Sequence, residues 1–143
     1  MKFPYVKVPT NDPRRKQIRR PIIPISLAKP AQAGFISKSI MIDALLDSGA
    51  DKCLFHVELA KELGLNLEEG EREFFGGIEG GRIVTYIHKV QICVPDINGL
   101  AEVWAGFADA PGVFAILGQD GFFDAFRIKF ERDRNIIEIT LVD

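Results

Sequence analysis

Cysteine is scarce in these 143 residues: Cys53 and Cys93 are the only two. They form no CxxC pair and are too few for a disulfide framework. Cys53 precedes Leu54-Phe55 and Cys93 lies between Ile92 and Val94, so both read as buried, reduced thiols. Long apolar runs are missing too. No stretch reaches the ~18 apolar residues that a membrane-spanning helix requires. The first residues, Met1-Lys2-Phe3-Pro4-Tyr5-Val6-Lys7, lack the apolar segment of a secretory signal. A soluble, cytoplasmic protein with no membrane partner is the expectation. His56 and His88 have no metal-ligand spacing to each other or to a cysteine, and neither a metal nor another cofactor is expected.

Net charge is small as well, at −2, where a general polyanion-binding protein would be strongly basic. The average conceals an asymmetry. Residues 1–20 hold Lys2, Lys7, Arg14, Arg15, Lys16, Arg19 and Arg20 against the single acid Asp12, a balance of +6, which leaves −8 for the rest. With Pro4, Pro9 and Pro13 and no apolar period, residues 1–20 read as an extended, solvated basic arm. Residues 21–143 read as one domain, in keeping with a chain of 15.9 kDa. A basic arm can touch nucleic acid, but the acidic body argues against that partner.

From residue 21 the dominant period is two. Ile23, Ile25 and Leu27 alternate with Pro24, Ser26 and Ala28; Ile40, Ile42, Ala44 and Leu46 form a second set. Val84 to Val94, Phe126 to Phe130 and Ile137 to Leu141 continue the pattern, the last two separated by the polar turn Arg132-Asp133-Arg134-Asn135. Short strands with one apolar face predict a mostly antiparallel all-β domain. Helix signals are few. Val57 to Leu63 puts Leu59, Ala60 and Leu63 on one face, with Gly64 as its stop. Gln119 to Ala125 is a second short candidate, weakened by Gly121. The six residues Phe74, Phe75, Phe122, Phe123, Phe126 and Phe130 read as core or interface packing, and Trp104 as a strand residue.

The chemistry concentrates in Ala44-Leu45-Leu46-Asp47-Ser48-Gly49-Ala50. An apolar strand runs straight into an acid, a hydroxyl and a glycine. A carboxylate at the end of such a run is costly unless it is hydrogen-bonded or its pKa moves. Gly49 permits a turn that brings N–H groups near the acid. Taken alone, Asp-Ser-Gly is more simply a common turn. Two further segments change that balance. Phe75-Gly76-Gly77-Ile78-Glu79-Gly80-Gly81 sits between β-patterned arms and reads as a hairpin with a glycine-rich tip. No Lys-Ser/Thr follows it, so it is not a phosphate loop. Later, Phe114-Ala115-Ile116-Leu117-Gly118 is another apolar strand ending in glycine before the second helix candidate.

In this order the three segments resemble the signature of the retropepsin-like aspartic proteases, retroviral and cellular. The resemblance covers about residues 21–141: Leu45-Leu46-Asp47-Ser48-Gly49-Ala50, then Gly76-Gly77-Ile78-Glu79-Gly80-Gly81, then Ile116-Leu117-Gly118. It implies a closed acid-protease β-barrel with one or two short helices and a flap hairpin. It also implies hydrolysis of peptide bonds by water, with two aspartates sharing one proton. Two carboxylates that close cannot both ionise. This chain has one Asp-Ser-Gly: Asp43 is followed by Ala44, Asp109 by Ala110 and Asp120 by Gly121. The second acid must then come from a second copy, so the implied enzyme is a homodimer with Asp47 facing its twin, active mainly at acidic to mildly acidic pH.

By the same resemblance Asp47, Ser48 and Gly49 form the catalytic turn, with Ser48 in the place of the commoner Thr. Ala50, Asp51, Ala115 and Ile116 line the substrate cleft, and Gly76, Gly77, Ile78, Glu79 and Gly80 form the flap over an extended polypeptide. Glu79 either shifts the pH optimum or points to water. Gln119 stands where many members carry Arg, so it can donate to Asp51 but supplies no charge, weakening a brace that bears on dimer affinity. A catalytically idle, dimeric peptide-binding module is the alternative of another class.

Overall fold

The computed structural model describes residues 1–30, 38–76, 82–112 and 114–143. Strand follows strand as the alternation predicts. β1 (Lys2–Phe3), β2 (Val6–Pro9) and β3 (Gln17–Arg20) precede β4 (Ile22–Ala28) and β5 (Ser39–Leu46). After β6 (Leu54–His56) comes the helix α1 (Val57–Leu63), then β7 (Glu71–Gly76), β8 (Arg82–Cys93) and β9 (Ala101–Ala108). β10 (Ala115–Leu117), β11 (Phe126–Glu131) and β12 (Ile136–Leu141) complete the chain.

Seven strands form the main sheet in the order β4-β5-β10-β6-β9-β8-β7, and β4 pairs with β8 as well. The alternation dictates which face is buried. In β4, Ile23, Ile25 and Leu27 are fully buried while the residues between them are half-exposed. Pro24 pairs opposite Asp43 of β5, whereas the pairing of β4 with β8 runs only from Ser26 to Ala28. The proline, which has no N–H to donate, therefore lies where β4 has a described strand on one side only. Phe55, Phe107 and Leu117 join the β4 residues, and Leu59 of α1 caps them from outside the sheet. Burying each such side chain contributes roughly 1.5–3 kcal/mol. A second sheet, β1-β12-β11, adds Ile137 and Ile139 to the same core.

α1 forms as read, and its caps explain its length. His56 Nδ1 accepts from the Glu58 N–H at 3.2 Å, and Gly64 closes the helix in the left-handed region at φ 76°. The second helix candidate is shorter than predicted. Asp120 (ψ 116°) and Gly121 (φ 92°) are non-helical, so helical backbone begins only after Gly121, whose N–H is taken by Asp124 Oδ2 at 2.9 Å. A Cβ at Gly121 would sit 2.4 Å from Val103 Cγ1. The chain turns here because only glycine fits both the angle and the space.

Residues 1–20 contain the strands β1, β2 and β3, and the first residues are not a solvated tail. β1 pairs with β12, and Phe3 and Tyr5 are buried in the core. β2 and β3 pair with each other as a separate hairpin. Among the aromatic residues, Phe122 and Phe126 stack in the core at 4.9 Å. Phe74 and Phe130, read as core or interface packing, lie outside the core at 52% and 41% exposed. Trp104 lies in β9, largely exposed, with Lys89 Nζ 5.5 Å from its ring centroid.

Candidate active site

Two strand ends meet at the centre of the main sheet. β10 runs parallel to β5, with Leu117 beside Leu46 and Ile116 beside Leu45. The residues that follow these strands, Asp47 and Gly118, are therefore brought together although 71 positions separate them in sequence. The Asp47 N–H donates to the Leu117 carbonyl at 3.0 Å. The chain then turns: the Ala50 N–H donates to the Asp47 carbonyl at 3.1 Å, and the Gly49 N–H donates to Asp47 Oδ1 at 2.9 Å. The carboxylate at the end of the apolar run thus has the backbone donor that the sequence calls for. A Cβ on Gly49 would come within 3.3 Å of that oxygen. Asp47 is half-buried, and Ser48 and Gly49 are exposed.

The far side of the turn is laced to the segment after β10. The Gln119 N–H donates to the Ala50 carbonyl at 2.9 Å and the Asp120 N–H to the Asp51 carbonyl at 2.7 Å. The Gln119 side chain does not reach Asp51 as the sequence reading proposed; its Nε2 donates to the Ser48 carbonyl. An uncharged amide thus braces the backbone of the Asp-Ser-Gly turn. Gly118 is what permits the close approach: a Cβ there would lie 2.4 Å from the Lys52 carbonyl oxygen and 2.8 Å from that of Ala50. Behind it, the Gly118 N–H donates to Cys53 Sγ at 3.4 Å, and burial pushes the Cys53 thiol up to about 11.

Of the predicted site residues, Asp47 through Asp51 share this one turn, and Ala115 and Ile116 flank it on β10. Gly76 ends β7 opposite Arg82 of β8, in an antiparallel hairpin. Gly77, Ile78, Glu79 and Gly80 lie outside the described residues, and so does Glu79's bearing on pH. A cavity of about 290 Å³ lies along the strands that lead into the turn, lined by Ala115, Ile116, Leu45, Ile22, Phe114, Gly112, Arg20 and Asp43. Sequence reasoning named only Ala115 and Ile116 of these. Leu45 and Asp43 were legible by counting back from Asp47 in steps of two, since alternate residues share a face. Arg20, Ile22 and Phe114 carry no such mark. A larger cavity of about 900 Å³ lies elsewhere, between Lys29, Glu71, His88 and Trp104. It borders the turn only through Lys52, whose Nζ donates to Glu73 Oε2 of β7 at 2.8 Å. Neither cavity is lined by Asp47 to Asp51; the smaller one lies along Leu45 and Ile116, on the two strands that lead into the turn.

This fold is similar to that of the retropepsin-like aspartic proteases. Three of the solved structures similar to the chain illustrate this. The retroviral protease-like domain of Ddi1 from Leishmania major matches with a TM-score of 0.57 at 14% identity, over 87% of this chain and 94% of that one. A retropepsin-like aspartic protease from Rickettsia conorii matches with a TM-score of 0.55 at 12% identity, over 80% and 97%. The EIAV protease complexed with the inhibitor HBY-793 gives 0.50 at 21% identity, over 70% and 82%. No protein-family model and no curated protein sequence matches the chain. The likeness establishes a retropepsin-like fold, mostly β with few helices, as the sequence motifs implied. Among the described residues no helix is long and apolar enough to cross a membrane.

Proposed function

We propose that the protein is a homodimeric aspartic endopeptidase in which Asp47 of each chain supplies half of a catalytic dyad. The observation that carries this reading is the braced Asp47 turn. A carboxylate is held by the Gly49 N–H, on a backbone pinned to Leu117, at the end of strands that line a cavity. In the dyad one proton is shared. The ionised aspartate takes a proton from a water molecule, whose oxygen attacks the scissile carbonyl carbon, while the protonated aspartate gives its proton to the carbonyl oxygen. Collapse of the tetrahedral diol transfers a proton to the amide nitrogen as the C–N bond breaks. The need for exactly one shared proton places the working range at acidic to mildly acidic pH.

Ser48 braces the pair across the two-fold axis in this reading, and Gly49, Ala50 and Asp51 hold the backbone of an extended polypeptide. The β7–β8 hairpin serves as the flap, with Gly76 to Gly80 closing over the substrate and excluding water. Leu45, Ile22, Phe114 and Ile116 form a pocket for an apolar side chain next to the cut. We read the pairing of β4 with both β5 and β8 as the closure of the barrel. No cofactor is required, and the site of action is cytoplasmic. The test compares wild type with Asp47→Asn on an unstructured protein, with and without a general aspartic-protease inhibitor. Cleavage confined to the uninhibited wild type is expected; equal cleavage by both forms would end the assignment.

A further inference from the structure

The basic hairpin is the one feature of the sequence that this function leaves unused. Among the described residues β2 and β3 pair only with each other, and Arg132 Nη1 of the body ties the hairpin down by donating to the Arg19 carbonyl at 3.0 Å. Its only acid, Asp12, is already engaged by Arg14, which both donates to it from its backbone and pairs with it at 3.1 Å. The Arg14 side chain and backbone hold the Asp12 carboxyl below its usual range, as a committed ion pair does. Lys7, Arg15, Lys16, Arg19 and Arg20 have no ion pair among the described residues. The body, at −8, therefore leaves these charges open instead of neutralising them.

Position gives the charges a purpose. Arg20, the last residue of β3, lines the cavity that contains Leu45, Phe114 and Ile116, along the strands that lead to Asp47. We propose that the β2–β3 hairpin is an exosite that captures an acidic, extended segment of the polypeptide substrate, which rests on the peptidase reading above. Asp43 lines the same cavity, so acid is read along the ribbon and not inside the pocket. Apart from the Arg19 carbonyl, which Arg132 engages, the outer edges of a two-stranded ribbon offer main-chain groups for an added strand, the conformation that an aspartic-protease cleft also takes. The four residues of β3 reach about 13 Å at ~3.3 Å per residue. The acidic segment accordingly lies within about four to eight residues of the side chain held in the cavity. A nucleic acid, with one charge per ~1.7 Å, would have to lie against the acidic body, which disfavours it.

Binding by the full-length Asp47→Asn protein tests this without requiring turnover. Two fluorescent polypeptides share one apolar centre and differ in flanks of about six Glu or about six Gln. Anisotropy titrations should show about tenfold tighter binding of the Glu form at low salt, falling to about twofold near ~0.5 M salt. Adding K7Q, R15Q and K16Q, all at exposed positions, should remove that preference and change binding of the Gln form less than about twofold. No preference at low salt, or equal weakening of both polypeptides, would overturn the proposal. So would tighter binding of a short duplex DNA than of the Glu polypeptide, or dissociation of the dimer by the triple substitution in sedimentation. Should that variant fail to fold, the salt series on the parent protein decides. Absence of cleavage by wild type would sink the peptidase reading while leaving this binding result to stand or fall alone.

Discussion

Gly118→Ala is the substitution that most directly probes how the site is built. The backbone at Gly118 is extended, at φ −105°, so alanine fits the angle and the effect comes from space alone. The new methyl group would lie 2.4 Å from the Lys52 carbonyl oxygen, 2.5 Å from its carbon and 2.8 Å from the Ala50 oxygen. All three are backbone atoms, and ordinary contact begins near 3.4 Å, so the turn must retreat by about 1 Å. That movement stretches the 2.9 Å bond from the Gln119 N–H to Ala50 and the 2.7 Å bond from Asp120 to Asp51 beyond hydrogen-bonding range. Overpacking of ~1–3 kcal/mol together with one or two lost bonds at ~1 kcal/mol each gives a loss of about 2–5 kcal/mol. For a chain of this size the midpoint should fall by about 10 °C. Thermal melts at one fixed protein concentration measure it, because the proposed dimerisation would make Tm concentration-dependent. Where the variant still folds, a 1 Å displacement of the turn should lower kcat/KM about 100-fold. Gly64→Ala is the control: nothing lies within 4 Å of its Cβ, and only the φ of +76° is strained, worth about 1 kcal/mol. A Gly118→Ala protein melting within a degree of wild type would refute the close-approach reasoning.

Gly121→Ala combines a clash with Val103 and a φ of +92°, and should destabilise by about 3 kcal/mol or more. Adding Val103→Ala should relieve the clash but keep the ~1 kcal/mol backbone penalty, a coupling that a double-mutant cycle in urea reads directly. Gln119→Ala removes the donor to the Ser48 carbonyl and should lower kcat about three- to tenfold with a stability loss near ~1 kcal/mol; unchanged kcat would show that the brace is idle. Burial raises the folded-state pKa of Cys53 to about 11 from 9.0. The unfolded chain therefore loses its thiol proton first, and the stability this burial contributes is intact below pH 9 and lost as pH rises toward about 11. The loss is on the order of 2–3 kcal/mol. Urea midpoints at pH 8 and pH 10.5 should show it in wild type and much less of it in Cys53→Ala; the same loss in both would assign it to other groups.

What the sequence made legible follows from how local each signal is. Ile23, Ile25 and Leu27 announce their strand because alternation is written in consecutive residues, and α1 announces its end because Gly64 alone adopts the left-handed cap cheaply. β1 was illegible for the opposite reason: two residues, Lys2 and Phe3, have no period, and their pairing partner in β12 lies at the other end of the chain. The turn at Gly121 depends on Val103, and the brace from Gln119 depends on where Ser48 comes to rest. Both are contacts across the fold that no spacing rule contains. The motifs pointed to Asp47 and Gly118 separately, and the parallel register of β5 and β10 is what sets them side by side. Arg20 and Phe114 entered the cavity by the same route, from strands and loops whose own patterns say nothing of it.

Subunit mixing tests the claim that each chain carries half of a dyad. Wild-type and Asp47→Asn proteins are combined at constant total concentration, allowed to exchange partners, and assayed as the wild-type fraction is varied. Random pairing leaves only wild-type homodimers with two carboxylates, so activity should follow the square of that fraction, about one quarter at an equal mixture. Activity that falls in simple proportion, to about one half, would mean that each chain works alone and would contradict the account.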